Sequence, residues 1–268
     1  MPRNFCLEFI IMGKLPNIGK YPFRAEPFRC DFTKHLFIGN LGNDLLNTAD
    51  FHSNDRGYGV IFLQSIHKTW VLSRLAIELE KVPYIYEKFN IETWVDSVMR
   101  FFTSRNFKIS NDEGTIFGYG KSIWAMIDTD SRQPIDILEI NNGVISQYLE
   151  KDYFNPIEKL SRVKISENLQ LVKTLEPKFC DIDINGHVNS IKYIEHIFDL
   201  FPLKIFQTKR VKRLEIAYIT ESHIGEILHF YTDKAIETEQ NEIAIRITKD
   251  SEEGEIEVCR SKVVFCGI

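Results

Sequence analysis

The sequence predicts an α+β protein built from two similar units, each combining one long helix with antiparallel strands. Apolar residues recur at the spacing of one helix face between Gly39 and Phe51. Strand-like runs follow, and the Asn-Asp-Glu-Gly turn at 111–114 separates two of them as a hairpin would. Parts of this pattern return 139 residues later, which indicates a duplication.

The repeat consists of short matches at one constant offset. The segment Arg74–Ile77 matches Arg213–Ile216, and Lys121-Ser122 matches Arg260-Ser261. Several such matches without a gap favour duplication over chance. The predicted strand-like runs are 70–79, 88–97, 98–109 and 115–127 in the first unit, and 212–219, 227–234, 243–248 and 255–265 in the second.

Composition excludes several classes of function. The chain has 268 residues, 44% of them hydrophobic, and a net charge of −5, which argues against general nucleic-acid binding. Five scattered cysteines without a CxxC pair fit free thiols in a reducing compartment. No His/Cys/Asp cluster has zinc spacing and no phosphate-binding glycine loop occurs, so we expect neither a metal nor a cofactor. The apolar stretch Phe5–Met12 contains Glu8 and is too short to span a membrane, so no stable membrane insertion is expected.

The segment 183–190 carries the strongest chemical signal. Asp183, Asn185 and His187 stand at alternate positions, so in an extended chain their side chains would converge. A carboxylate, an amide and an imidazole suit hydrolysis of an activated carbonyl. The alternative is a simple turn, since Asp, Asn and Gly favour turns.

A buried helix is predicted directly after this segment. Apolar residues recur at spacings of three and four from Val188 to Leu200, Asn189 is a suitable N-cap, and Phe201-Pro202 provides a stop. The polar triplet therefore precedes a helix N-terminus, whose N–H groups and dipole favour a developing oxyanion.

The run Asp-x-Asn-x-His-Val-Asn-x-x-x-Tyr at 183–193 resembles the signature of the fatty acyl-ACP thioesterases of plants and bacteria. Further segments resemble the family as well: Trp70–Arg74, Glu92–Trp94, Met99–Phe102, Trp124–Asp128 and the opening stretch Pro22–Gly57. The resemblance covers residues 20–268 and leaves the segment before Leu15 without a role.

The resemblance implies a tandem hotdog, in which two antiparallel sheets each wrap around a long central helix. The expected organisation is an N-terminal hotdog at 15–130 that holds the acyl chain, a linker at 131–168, and a C-terminal catalytic hotdog at 169–268. The linker contains apolar residues and is expected to pack against the protein. No transit peptide is apparent, so the chain resembles the bacterial branch and is expected to be cytoplasmic.

The resemblance also assigns site residues. Asp183, Asn185 and His187 match the family's loop element, and Tyr218-Ile219-Thr220-Glu221-Ser222 matches its strand element, with Ser222 in place of the family's Cys. Because Ser is a poor nucleophile without a base, Ser222 favours attack by water, although a His-activated serine stays open. Glu221 or Asp183 would orient the site, and His187 or Glu221 would take the water proton. Substitutions Asp183→Asn, His187→Ala and Glu221→Gln are each expected to cost about 100-fold or more.

Two further sets of residues are candidates for substrate contacts. An acyl slot would be lined by Leu45, Leu46, Ala49, Trp94, Phe101, Phe107 and Trp124. The acidic acyl carrier protein would dock on the densest basic run, which leads towards Glu221 and could lie near the site: Lys209, Arg210, Lys212 and Arg213. These residues could instead be ordinary core and a solvated loop.

The expected reaction is hydrolysis of fatty acyl-ACP to free fatty acid and holo-ACP. An acyl-CoA thioesterase is the nearest alternative, and a hotdog 3-hydroxyacyl-thioester dehydratase is a more distant one. A homodimer is possible, because hotdogs commonly pair.

Overall fold

The computed structural model describes residues 14–160, 163–236 and 240–268. Ten antiparallel strands form one sheet in the order β1-β3-β4-β5-β2-β7-β10-β9-β8-β6. The strands are β1 Gly19–Arg24, β2 Lys68–Leu79, β3 Lys88–Val98, β4 Phe102–Ser110, β5 Ile116–Asp128, β6 Gln170–Leu175, β7 Lys209–Tyr218, β8 Leu228–Thr232, β9 Glu242–Ser251 and β10 Gly254–Gly267. The α-helices are α1 Ile38–Asp55, α2 Val60–Ser65, α3 Ser190–Phe198 and α4 Leu203–Thr208, and 3₁₀ segments occupy Pro27–Arg29, Ile137–Tyr148 and Phe179–Asp181.

The two halves of the sheet join through antiparallel pairing of β2 with β7. Ala76 lies opposite Glu215, the residue 139 positions further along the chain. Arg74 and Glu78 lie opposite Ala217 and Arg213 in the same register. Arg74 thus pairs with the repeat equivalent of Glu78, and Glu78 pairs with the repeat equivalent of Arg74. The pairing is symmetric, so the offset found in the sequence corresponds to a local two-fold axis.

The two long helices share one hydrophobic core with both halves of the sheet. Leu41 and Leu45 of α1 are buried in the same cluster as Ile191 and Ile194 of α3. The helices come close because α1 has a glycine at the contact: a Cβ on Gly42 would lie 3.1 Å from the Ile191 side chain. This helix pair, covered by a curved antiparallel sheet, is the tandem hotdog that the sequence predicted.

Most elements expected from the sequence are present. The long helix runs from Ile38 to Asp55, one residue before and four residues beyond the predicted span, and all eight predicted strands occur with shifted ends. The Asn189 side chain accepts a hydrogen bond from the Ile191 N–H at 2.9 Å, which confirms it as the N-cap of α3. No helix among the described residues is long and apolar enough to cross a membrane. The stretch Phe5–Met12 lies outside the described residues.

The part of the expected linker around residues 137–145 packs against the first unit. Ile137, Ile140 and Ile145 are buried in a second cluster together with Val95 and Met126. The linker thereby fixes the loop that follows β5, and this loop reaches the candidate site.

Candidate active site

The segment from Asp183 to His187 is a tight turn held by the Asp183 carboxylate. Its Oδ1 accepts hydrogen bonds from the backbone N–H groups of Asn185 (2.8 Å) and His187 (3.2 Å). The Asp183 N–H donates to the His187 carbonyl at 2.8 Å, and Gly186 has a φ of +81°, in the region that favours glycine. These contacts give the Asp183 carboxylate the role of holding the turn, whereas alternation along an extended chain would have aimed it at His187.

The His187 imidazole faces Glu221 across the gap between this turn and the segment after β7. The His187 Nε2 atom lies 3.5 Å from the Glu221 Oε2 atom. The side chains of His187 and Glu221 are 21% and 34% exposed, so water can reach both. The pair therefore joins a titratable base to a carboxylate at a solvent-accessible position, as general-base chemistry requires.

Two basic residues hold Glu221. The Arg132 guanidinium, from the loop after β5 in the first unit, hydrogen-bonds the same Oε2 atom that faces His187. The Lys249 Nζ atom donates to the Glu221 backbone carbonyl at 2.8 Å and to the Glu226 carboxylate at 2.8 Å. Burial acts to raise the pKa of Glu226, but the hydrogen bonds from Lys249 and from the His223 backbone N–H, together with the Lys249 charge, hold the pKa below its usual value. Glu226 therefore stays ionised and keeps Lys249 in place.

Ser222 faces the protein interior. Its side chain is fully buried, and its hydroxyl has no hydrogen bond to His187 or to any other base in the described parts of the chain. Its neighbour inside the protein is the Tyr193 hydroxyl, whose pKa is raised by burial. The Ser222 backbone carbonyl instead accepts the Val188 N–H at 2.7 Å, which ties the turn to the strand element.

Asn185 lies at the exposed tip of the turn, and α3 begins a few residues later. The N-terminal end of α3, which carries the positive end of the helix dipole, therefore follows His187 closely in the chain. An amide and a helix N-terminus can both stabilise negative charge on a carbonyl oxygen.

Three residues near the His187–Glu221 pair were not identified from the sequence. Arg132 falls in the expected linker, and Lys249 lies on β9 with no motif around it. His223 packs its ring edge-on against the His187 ring with centroids 4.9 Å apart. Only its position next to Glu221 and Ser222 could have indicated it.

The basic run at 209–213 does not border this pair, which corrects the expectation that it could lie near the site. It opens β7, whereas Glu221 follows the other end of that strand. Nine steps of about 3.3 Å separate Lys209 from Tyr218 by about 30 Å. Arg210 and Arg213 are engaged by the Glu80 carbonyl and the Glu78 carboxylate, and Lys212 is exposed.

The seven residues expected to line an acyl slot are mostly closed core. Leu45, Ala49, Trp94 and Phe107 are buried. Leu46, Phe101 and Trp124 are only partly buried. A cavity of about 1320 Å³ lies elsewhere, between the start of α1, the end of α3 and the start of β7, and none of these seven described residues lines it.

The fold and the solvent-accessible carboxylate–imidazole pair define the class: a tandem hotdog with a hydrolase-type site. The model of the acyl-ACP thioesterase N-terminal domain matches residues 20–143, and the model of its C-terminal domain matches residues 165–263. The chain therefore belongs to the acyl-ACP thioesterase family, as its motifs predicted.

Individual relatives agree with this assignment. A crystal structure of an acyl-ACP thioesterase from Bacteroides thetaiotaomicron is 50% identical, with a TM-score of 0.84 over 93% of this chain and 98% of that one. The 12:0-ACP thioesterase from Umbellularia californica shares the fold at 18% identity, with a TM-score of 0.78 over 94% and 95% of the two chains.

Two plant sequences are similar over most of the chain. The chloroplastic oleoyl-acyl carrier protein thioesterase 2 of Arabidopsis thaliana is 26% identical over 88% of this chain and 68% of its own length. The chloroplastic palmitoyl-acyl carrier protein thioesterase of Gossypium hirsutum is 26% identical over 90% of this chain. This chain spans 60% of the length of the Gossypium protein.

Because Asp183 Oδ1 accepts two backbone N–H groups, the loss of about 100-fold expected from the sequence for Asp183→Asn is revised, and two substitutions of Asp183 should differ. Asp183→Asn keeps an acceptor oxygen, and a neutral acceptor bonds roughly half as strongly, so we expect activity within about tenfold of wild type. Asp183→Ala removes the acceptor and frees the turn, and misplacing His187 by about 1 Å costs roughly 100-fold. Steady-state hydrolysis of an acyl thioester measures both. Equal losses in the two variants would show that the negative charge of Asp183, and not its hydrogen bonds, is what the reaction needs.

Proposed function

We propose that this protein hydrolyses the thioester of fatty acyl-ACP to release free fatty acid and holo-ACP. The observation that carries the proposal is the 3.5 Å approach of His187 Nε2 to Glu221 Oε2 at a solvent-accessible position in a chain of this family. Both groups are held by backbone and ion-pair contacts, so the pair exists before substrate arrives, as electrostatic preorganisation requires.

In the proposed reaction, water is the nucleophile. The His187–Glu221 pair takes a proton from water, and the oxygen attacks the thioester carbonyl to form a tetrahedral oxyanion. Asn185 and the N-terminal end of α3 stabilise that charge. The C–S bond then breaks, the protonated imidazole returns a proton to the leaving thiolate, and the products are a carboxylic acid and the thiol of the carrier.

The buried position of Ser222 supports attack by water. A serine hydroxyl becomes nucleophilic when a base within hydrogen-bond reach removes its proton. Ser222 makes no hydrogen bond with His187 and is fully buried. A serine acyl-enzyme would therefore need a rearrangement of the segment that Lys249 and Val188 hold.

Arg132 positions Glu221 in this mechanism. Its loop is organised by the Asp128 carboxylate, which accepts hydrogen bonds from Ser131 N (2.7 Å) and Ser131 Oγ (2.9 Å). Lys68 hydrogen-bonds the same carboxylate and, together with these bonds, holds the pKa of Asp128 well below its usual range. The hydrogen-bonded loop after β5 therefore holds the Arg132 guanidinium against the Glu221 carboxylate of the second unit.

The acyl chain is proposed to enter the first unit through the three partly buried candidates, Leu46, Phe101 and Trp124. Ordinary rotamer changes can open such positions. The fully buried candidates are closely packed and would limit how deep the chain can enter. A cytoplasmic location stays a prediction. So does a homodimer, and the pairing between hotdogs is already made within the chain by β2 and β7.

The mechanism predicts unequal effects at the three residues of the catalytic region. His187→Ala and Glu221→Gln should each lower kcat by about 100-fold or more, the usual effect of removing a general base or the group that orients it. Ser222→Ala should keep most of the activity. His229→Ala is a matched control, because that histidine has its own carboxylate partner, Asp250, at 3.0 Å on β8 and β9. Inactive Ser222→Ala protein with a normal fold would replace water with a serine nucleophile.

A positioning role for Arg132 predicts a loss in kcat without a change in KM. On an acyl thioester of a small neutral thiol, Arg132→Ala should lower kcat roughly 10- to 100-fold, because Glu221 loses its orientation. Added guanidinium at low concentration should restore part of the rate, while sodium chloride at equal ionic strength should not. The exposed Arg24→Ala serves as the control. A raised KM with unchanged kcat would instead make Arg132 a substrate-binding residue.

The carrier is tested by matched substrates. With purified acyl-ACPs and acyl-CoAs of equal chain length, kcat/KM should be higher for acyl-ACP, because the protein carrier adds contacts beyond the thioester. Released fatty acid is the readout, and a series of chain lengths defines the preference. Equal or higher kcat/KM for acyl-CoA would assign the protein to the acyl-CoA thioesterases.

A further inference from the structure

The first unit contains a second copy of the catalytic turn, at Asp31-Phe32-Thr33-Lys34-His35. Oδ1 of Asp31 accepts hydrogen bonds from the backbone N–H groups of Thr33 (2.8 Å) and His35 (3.3 Å). The Asp31 N–H donates to the His35 carbonyl at 2.8 Å. Lys34 has a φ of +66°, the same left-handed conformation as Gly186. Each of these contacts has a counterpart in the turn at 183–187.

The strand element that faces this turn is duplicated as well. Leu36 N–H donates to the Pro83 carbonyl at 3.0 Å, as Val188 does to Ser222. The His35 ring packs edge-on against Tyr84 with centroids 5.3 Å apart, as His187 packs on His223. Pro83 and Tyr84 lie 139 residues before Ser222 and His223, the offset of the strand repeat.

The two copies differ at the position of the catalytic carboxylate. By the same offset, Val82 occupies the place of Glu221. Thr33 takes the place of Asn185, and its hydroxyl lies 3.0 Å from His35 Nδ1. The first copy therefore keeps the imidazole and the turn but has an aliphatic side chain where the second has a base partner.

The 1320 Å³ cavity opens at this first copy. Thr33, His35, Val82 and Tyr84 all line it. Apolar residues of both units form the rest of the wall, and those of the second unit include Phe198, Phe201, Leu203, Phe206 and Val211. A long apolar wall with a small polar cluster at one place is the usual design of a site for an amphipathic small molecule.

The cavity is lined by cations as well as acids. The lining cations include Lys81 and Arg210. The acidic residues in the lining already have partners within the protein: Asp31 with its own turn, Glu87 with Tyr84 N, Asp181 with His196, Glu195 with Lys192, and Asp199 with Lys173. A ligand carboxylate placed beside Val82 would meet Lys81, the preceding residue, and Arg210, whose guanidinium hydrogen-bonds the Glu80 carbonyl.

We propose that this cavity is a second acyl-binding site, which holds the chain of a fatty acid and does not hydrolyse a thioester. The apolar wall accommodates the chain, and the polar cluster with Lys81 and Arg210 accommodates the carboxylate. Hydrolysis is absent there because Val82 cannot assist the His35 imidazole as a carboxylate would. The inference concerns binding at the first unit, so it is tested without any measurement of hydrolysis.

The test is photolabelling with a diazirine-bearing hexadecanoic acid, followed by mass spectrometry of the peptides. Label is expected in the segments 28–40 and 198–211, and unlabelled hexadecanoate should compete it away. Leu203→Glu places a charge on the exposed part of the apolar wall and should lower this labelling about tenfold or more. Leu171→Glu, at a similarly exposed leucine on β6, should leave it unchanged.

Three results would overturn the proposal. The first is photolabel found only in the segments 183–190 and 221–226. The second is photolabelling that unlabelled hexadecanoate does not reduce. The third is equal labelling of the two leucine variants when both show normal thermal unfolding. Label at the first unit in a protein that cleaves no acyl thioester would refute the proposed hydrolysis and leave the binding site standing.

Discussion

The antiparallel pairing of β2 with β7 is the constraint on which the rest of the molecule depends. It merges two five-stranded halves into one sheet and places Ala76 opposite its own repeat equivalent, Glu215. Because the pairing is symmetric, α1 and α3 meet across the axis and share one core. The Arg132–Glu221 contact is a direct consequence, since it joins residues 89 positions apart that belong to different units.

The internal duplication also separates scaffold from chemistry. The aspartate that holds the turn occurs in both copies and accepts the same two backbone N–H groups in each. Only the second copy has a glutamate facing its histidine. A role shared by both copies cannot be specific to catalysis, so the duplication supports Asp183 as the organiser of the turn and Glu221 as the group that makes the site reactive.

Sequence patterns predicted the features that depend on local periodicity. The helix around Leu41 and Leu45, the eight strands and the Asn189 cap follow from residues close together in the chain. Arg132 could not be predicted in this way, because its partner is distant and its loop carries no pattern. The basic run was expected near Glu221 because the two are neighbours in sequence, but an extended strand separates neighbours by about 3.3 Å per residue.

The second turn was missed for a different reason. The two turns are 152 residues apart, whereas the strands repeat at 139. The helix that follows the turn has 18 residues in the first unit and 9 in the second, and this contributes to the change in offset. The alternation of side chains in an extended chain does not apply to these turns. A left-handed residue before each histidine folds the chain so that the aspartate side chain bonds to the backbone.

The alternation of side chains after β7 decides which neighbouring group can react. Glu221 and His223 point outwards, with side chains 34% and 50% exposed, while Ser222 between them is fully buried. Moving the Ser222 hydroxyl to the His187 side would turn both neighbours inwards and break the Lys249 contact with the Glu221 carbonyl. The register that places the carboxylate beside the imidazole is therefore the register that keeps the hydroxyl away from it, which agrees with the proposal that water is the nucleophile.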